Sequence, residues 1–279
     1  MKRVLSIQDI SCVGKCSLTV ALPIVSAAGI ETAILPTAVL STHTAFKGFT
    51  FRDLTDDIPE ISEHWKAEKI GFDGIYTGYL GSFRQIDLVE KIFEDFNHPG
   101  MLRFVDPAMA DNGKLYPGFD EAFARKMGEL CGKADIIVPN FTEAAFMLGE
   151  EYIGDKKYSA DDVKSLLKKL CGLGAPTAVL TGVSLEEGKY GVMAYDSVKD
   201  EYCEYYNEYL PVSFHGTGDV FASGCFAALM CGQSLQEALK TAVEFTLDSI
   251  KQTICEPDHI WYGVNFEKSI PKLLELLKN

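Results

Sequence analysis

His215-Gly216-Thr217-Gly218-Asp219-Val220-Phe221-Ala222-Ser223-Gly224 sets two glycines and an aspartate directly ahead of an apolar run that continues to Cys231 and stops at Gly232. The run predicts a buried helix over 219–231, and the glycines predict a turn whose free amides converge on one point at the helix mouth. A mouth of this kind is a ready seat for phosphate oxygens. An ordinary turn with Asp219 as an acid near the helix start fits the same letters. A dinucleotide fingerprint fits less well, because it would follow a strand near the start of a β-α-β unit and carry a third glycine where Phe221 stands.

Upstream, short apolar runs alternate with amphipathic ones. Strands are expected at 4–7, 33–35, 74–77, 102–105, 136–138 and 177–180, and helices at 17–28, 56–69, 86–96 and 119–131, with a short one after Thr142. Pro107 after Asp106 and Pro139 before Asn140 deny ladder hydrogen bonds and end their strands. Ser159-Ala160-Asp161-Asp162 is a capping-box-like start for a helix carrying Val163, Leu166, Leu167 and Leu170 on one face, and Ser234 to Glu237 caps another. Residues 192–195 and 202–206 read as an antiparallel pair, 46–51 as an edge flap, and 273–277 as the closing segment. This alternation predicts an α/β fold with a mainly parallel sheet covered on both faces, its ligands gathering at the carboxyl ends of the strands. With no repeat and no linker rich in Pro, Gly or Ser, residues 1–279 read as a single domain.

The chain has 279 residues, 47% of them hydrophobic, and a formal net charge of −14. That acidity repels a phosphate backbone and argues against a nucleic-acid partner. The eight cysteines include no C-x-x-C pair and read as reduced core residues. The apolar run near Met1 is too short for a signal peptide, and no run approaches the ~20 residues of a membrane span, so a cytoplasmic protein off the membrane is expected. Gly14-Lys15-Cys16-Ser17 superficially matches a Walker A loop but lacks the Ser or Thr directly after the lysine, which leaves Lys15 as a solvated loop residue.

Gly216-Thr217-Gly218-Asp219 resembles the G-x-G-D anion-hole motif of the ribokinase superfamily. Thr77-Gly78-Tyr79-Leu80-Gly81-Ser82, Asp106-Pro107-Ala108-Met109 and Pro139-Asn140-Phe141-Thr142-Glu143 are similar, in order and spacing, to segments of the pyridoxal/pyridoxamine kinase family, as are Ile7-Gln8 and Ser41-Thr42-His43-Thr44. The resemblance covers nearly the whole chain. It implies a ribokinase-like three-layer α/β/α sandwich with a small flap, and ATP-dependent phosphorylation of the 5′-hydroxymethyl group of a vitamin B6 vitamer.

The roles implied by the resemblance are these. The amides of Gly216, Thr217 and Gly218 hold the migrating phosphoryl group, and Asp219 accepts the proton of the substrate hydroxyl. Asp106, Asn140, Glu143, Thr181, Gly182 and Gly218 lie along the nucleotide, with Asp106 and Glu143 near Mg2+, and a monovalent cation such as K+ belongs to the same set. Asp9, Ser11, Val39, His43, Thr44 and Tyr79 contact the vitamer. Two positions depart from the family's pattern: Thr181 stands where many pyridoxal kinases place lysine, and Asp9 where serine is common. A carboxylate at Asp9 pairs with a protonated ring nitrogen or an amine more strongly than a hydroxyl does. Hydroxymethylpyrimidine is the alternative substrate, and a non-catalytic vitamer-binding protein the alternative class. A homodimer is expected by resemblance.

Overall fold

The computed structural model describes residues 1–154 and 156–278. The chain opens with β1 (Arg3–Val13), α1 (Leu18–Ala27), β2 (Glu31–Thr42), β3 (Phe51–Asp53), α2 (Ile58–Ala67) and β4 (Gly74–Thr77). It continues through α3 (Phe83–Asp95), β5 (Leu102–Val105), β6 (Ala110–Asp111), β7 (Lys114–Leu115), α4 (Glu121–Cys131), β8 (Ile136–Ile137) and α5 (Phe141–Leu148). Next come α6 (Ala160–Cys171), β9 (Thr177–Val183), β10 (Lys189–Asp196) and β11 (Glu201–Glu208), then α7 (Thr217–Met230), α8 (Leu235–Ile254) and α9 (Phe266–Leu276). The chain is of the α/β class, with mostly parallel strands, as its alternation predicts. It divides into two compact units, Met1–Gly74 with Leu210–Asn279, and Ile75–Tyr209.

In the first unit β1 runs parallel to β2 from Arg3↔Glu31 to Val13↔Thr42, and the short edge strand β3 pairs antiparallel with residues 38–40 of β2. Both long strands extend well past the 4–7 and 33–35 expected, because their polar ends are satisfied by each other's backbone. The register slips between Gln8 and Ile10, where Gln8 opposes Pro36 and Ile10 opposes Val39. Asp9 therefore faces two residues of β2, Thr37 and Ala38, beside a proline that has no amide for the ladder. Of the flap expected at 46–51, only Phe51 enters a strand, and Phe46 packs on Trp261 with ring centroids 4.5 Å apart.

Helix α7 has buried side chains on every side, as a helix in the middle of a core must. Val220 packs with Val20 and Ile24 of α1, Phe245 of α8, and Phe266 and Leu273 of α9. Helix α8 starts at the expected capping box of Ser234 and Glu237. The closing helix begins at Phe266, earlier than the 273 expected, and runs through Pro271, which has no N–H to give the helical hydrogen bond at its position.

In the second unit the sheet order is β4, β5, β8, β9, β10, β11. Strands β5, β8 and β9 are parallel, whereas β10 pairs antiparallel with both β9 and β11. The expected pairing of 192–195 with 202–206 holds, with Val192 opposite Tyr205 and Tyr195 opposite Tyr202. The capping box of Ser159 and Asp162 starts α6 as expected. Sequence reading overlooked the hairpin of β6 and β7, although its Asn112-Gly113 corner, with φ of 50° and 74°, is a strong short-range turn signal.

The eight cysteines are free thiols, but only Cys131 and Cys225 are buried; Cys12, Cys231 and Cys255 are exposed, against the expectation of core positions. Each of these three closes or flanks an element at the surface, so apolar sequence neighbours did not bring burial with them. No described helix is long and apolar enough to cross a membrane.

Candidate active site

The first unit gathers one polar cluster around the mouth of α7. Gly216 caps the helix at φ 77° and ψ 2°, and no side chain caps the amides that follow. A Cβ added at Gly216 would stand 1.7 Å from the carbonyl oxygen of Lys15, so only glycine lets this turn close against the loop after β1. At Gly218 an added Cβ would meet nothing within 4 Å. The turn is thus packed tightly behind and open in front, with unclaimed amides and the positive end of the helix dipole facing the opening.

Asp219, half-buried in the first turn of α7, has its carboxyl pushed up to about 7. Loss of water is the main cause and the charge of Asp9 the second; backbone hydrogen bonds from Ser17 and from its own amide oppose them. Asp9 is 5% exposed and accepts a hydrogen bond from Ser11 Oγ at 3.1 Å. Burial raises its pKa too, against the hydroxyls of Ser17 and Ser11. Between these acids the Cys16 thiol is pushed up to about 12, first by burial and then by Asp219 and Asp9, and stays protonated at neutral pH. Ser17 holds φ at 52°, an uncommon conformation for a residue with a side chain, at the entrance to α1.

Beside this cluster stands a group of rings. His43 is buried, with Nε2 3.1 Å from the carbonyl oxygen of Tyr262 and Nδ1 accepting from the amide of Ala45 at 3.2 Å. Those contacts fix Nε2 as the protonated nitrogen of a neutral ring. Burial chiefly, and then His215, lowers its pKa. His215, Phe46 and Trp261 have ring centroids 5.0, 5.0 and 6.0 Å from that of His43. Val39 is half-buried on β2, and Thr44 is exposed in the following loop.

The second unit collects the other expected residues. Asn140 and Glu143 form a reciprocal capping box at the start of α5: Asn140 Oδ1 accepts from the amides of Thr142 and Glu143, and Glu143 Oε2 accepts from the Asn140 amide at 2.8 Å. Glu143 Oε1 accepts from the Met109 amide at 3.2 Å, and the buried carboxyl is pushed up to about 7, mainly by desolvation. Asn140 also forms a parallel bridge with Thr181, whose amide donates to Pro139 at 3.0 Å. Next to it, Gly182 has a φ of 80°. Asp106 is buried where β5 ends, its amide donating to Thr77 at 2.9 Å. Tyr79 is half-buried, 5.6 Å from the Phe119 ring.

These donors bear on the expected magnesium. Among the described residues no three acids, histidines or cysteines cluster closely enough to cage a metal ion. Both oxygens of Glu143 already accept from backbone amides, so the carboxylate suits an ion that keeps its waters and not one that demands direct ligation. Magnesium is such an ion.

Lys15 is not solvated as expected, because α9 delivers acceptors to it. Its ammonium binds Glu267 at 2.6 Å and Asn265 at 3.3 Å, over the ring of Phe266. Cys16, Ser17, His215 and Trp261 are members of the cluster that sequence reading passed over; only His215, directly before the glycine turn, carried a local signal. A cavity of about 430 Å³ elsewhere in the second unit holds none of the expected residues, and its cations are already paired, Arg103 with Asp135 inside it and Lys133 with Glu90 beside it, each at 2.7 Å.

A glycine turn with open amides, an adjacent high-pKa carboxyl and an α/β scaffold are together the features that the resemblance to the ribokinase superfamily implies. The sequence profile of the phosphomethylpyrimidine kinase family matches residues 30–261. Pyridoxine kinase of Bacillus subtilis is 30% identical over 192 residues, which cover 67% of each chain, and the aligned part spans about two thirds of the curated relatives of this group. Pyridoxal kinase of Lactobacillus plantarum superposes with a TM-score of 0.89 at 31% identity, covering 99% of this chain and 98% of its own. A Bacteroides thetaiotaomicron protein, provisionally assigned as a phosphomethylpyrimidine kinase and crystallised with pyridoxal, gives 0.91 at 41% identity, covering 98% and 95%. The chain belongs to the phosphomethylpyrimidine kinase family, within the ribokinase-superfamily group that includes the pyridoxal kinases.

Proposed function

We propose that the protein phosphorylates the 5′-hydroxymethyl group of a vitamin B6 vitamer with ATP. The observation carrying this reading is the carboxyl of Asp219, pushed up to about 7 at the mouth of a helix whose first amides are uncapped. A base poised near the working pH is matched to taking a proton from an alcohol as that alcohol attacks. The amides of Gly216, Thr217 and Gly218 offset charge on the transferring oxygens without reorganising, since the turn is held from behind by Lys15. The neutral His43 ring and Val39, with Thr44 in the following loop, are the first unit's apolar and polar contacts for the pyridine ring, and Tyr79 is the contact the resemblance implies from the second.

In the second unit Asn140, Thr181 and Gly182 serve the nucleotide, while Asp106 and Glu143 hold magnesium through its waters. Bound magnesium supplies charge neutralisation on the phosphates. A monovalent cation such as K+, a homodimeric assembly, a cytoplasmic setting and operation of residues 1–279 as one kinase domain belong to the same reading.

Phosphorylation of hydroxymethylpyrimidine is the second reading, favoured by the description of the family itself. A purely binding role gains nothing from a basic carboxyl at a phosphate seat. ATP consumption with pyridoxal, pyridoxamine, pyridoxine and hydroxymethylpyrimidine offered side by side decides among them. We expect turnover with at least one vitamer; turnover with the pyrimidine alone selects the second reading, and none with any alcohol removes both.

A further inference from the structure

The loop after β1 backs the glycine turn, and its own backbone is unusual. Gly14 has a φ of 148° and Ser17 a φ of 52°. A left-handed residue that carries a side chain persists only where its surroundings over-determine it. Part of that hold is local, since Thr19 Oγ1 lies 3.0 and 2.8 Å from the carbonyl oxygens of Gly14 and Cys16. Between those two the carbonyl of Lys15 is turned against Gly216, where an added Cβ would stand 1.7 Å from it.

The rest of the hold comes from the segment that leads into α9. The stem of Lys15 runs over Gly263, where an added Cβ would stand 2.4 Å from Lys15 Cβ, and its ammonium lies 5.5 Å from the centre of the Phe266 ring. The ammonium donates to Glu267 Oε2 at 2.6 Å and to Asn265 Oδ1 at 3.3 Å. These acceptors are fastened in turn. The Asn265 amide donates to the buried Thr253 hydroxyl at 2.7 Å, Asn265 Nδ2 donates to Glu256 at 2.9 Å, and Phe266 packs in one cluster with Val220 of α7. The loop is thus gripped from one side by the entry to α9 while Gly216 closes on it from the other. The Lys15 side chain is 18% exposed and that of Glu267 55%. An ion pair with one partner this open adds little to global stability, so its effect is on local shape.

We infer that Lys15 is a positioning residue for the phosphoryl seat: its clamp on Glu267 and Asn265 fixes the carbonyl that Gly216 abuts, and so sets where the amides of the turn stand. The inference goes beyond the proposed reaction and rests on its assignment of the glycine turn as that seat. In this role the ammonium is turned to α9 and acts through the backbone it anchors. Small displacements of groups that stabilise a transition state cost rate far more than they cost binding.

The test uses Lys15→Met, which keeps the stem over Gly263 and removes the charge, Lys15→Arg, which restores a charge, and Glu267→Gln, which weakens the clamp with Lys15 in place. Turnover is measured with ATP and the alcohol the parent uses best. Amide hydrogen exchange of the full chain is followed at Val20 and Val220, whose amides donate to the carbonyls of Ser17 and Gly216 at 3.0 Å each. We expect Lys15→Met to lower kcat by about 10–100-fold with both KM values within about twofold of the parent, and Glu267→Gln to act in the same direction by less. The two amides should exchange about tenfold faster in Lys15→Met while those in the middle of α8 keep the parent's rate, and Lys15→Arg should recover most of both losses. A kcat within about twofold of the parent in Lys15→Met, an equal loss in Lys15→Arg, or faster exchange throughout α7 and α8 overturns the inference, the last because it marks a general loss of stability. If Lys15→Met does not fold, Glu267→Gln decides by the same two readings. Failure of the kinase reading is distinct: the unsubstituted protein would then turn over no alcohol, and exchange at Val20 and Val220 would decide the clamp.

Discussion

In the proposed reaction the carboxyl of Asp219 has to be ionised in order to accept a proton and basic enough to hold it. Burial and the neighbouring charge of Asp9 set that compromise at about 7. Asp219→Asn should lower kcat by about 10²–10⁴-fold while vitamer affinity, read by calorimetry, changes little. Activity of the parent should fall as the pH drops below about 7, and that acid limb should not follow the titration of an ordinary carboxyl near 4. The place of this acid was legible, since Gly-x-Gly-Asp before an apolar run puts Asp219 in the first turn of the helix. The raised basicity was not, because it comes first from burial in the folded chain and then from Asp9, 210 positions away in the sequence.

The glycines of the α7 turn have separate physical jobs, and substitution should separate them. Gly216→Ala forces a Cβ into the Lys15 carbonyl at 1.7 Å and a side chain into a left-handed conformation. It should cost about 1–3 kcal/mol of stability in denaturant unfolding and most of the turnover with it. Gly218 lies within the helix with open space before it, so Gly218→Ala should raise stability by roughly 0.5–1 kcal/mol yet raise the KM for ATP, because the methyl group stands where phosphate oxygens approach. Helix starts with local side-chain logic, Ser159 with Asp162 and Ser234 with Glu237, were legible because both partners lie within four residues. The register slip at Asp9 was not, since it depends on how β2 is laid against β1 around Pro36.

Across the whole molecule, three buried or half-buried acids, Asp9, Asp219 and Glu143, have pKa values raised above those of an unfolded chain. Between about pH 4 and 7 the native state therefore binds more protons than the unfolded one, and stability falls as the pH rises through that window. Exposed acids held low by partners, such as Glu237 and Asp162, have the opposite sign, and what they contribute is lost only as the pH falls toward about 4. The melting temperature should therefore peak on the acid side of neutrality and decline toward pH 8, and the decline should shrink in Asp219→Asn. A melting temperature that climbs steadily from pH 5 to 8 would contradict this account. Net charge of −14 adds self-repulsion in the same direction at high pH. By itself the sequence determined the α/β alternation, the helix starts, the glycine turn and the identity of its acid, because each is written in residues a few positions apart. Only the tertiary structure decided that Asp9 lies within electrostatic reach of Asp219, that Lys15 is claimed by Glu267, and that His43 is held neutral against Tyr262. Those are encounters between distant segments, and desolvation and charge are set by what the folded chain places around a group, not by its neighbours in sequence.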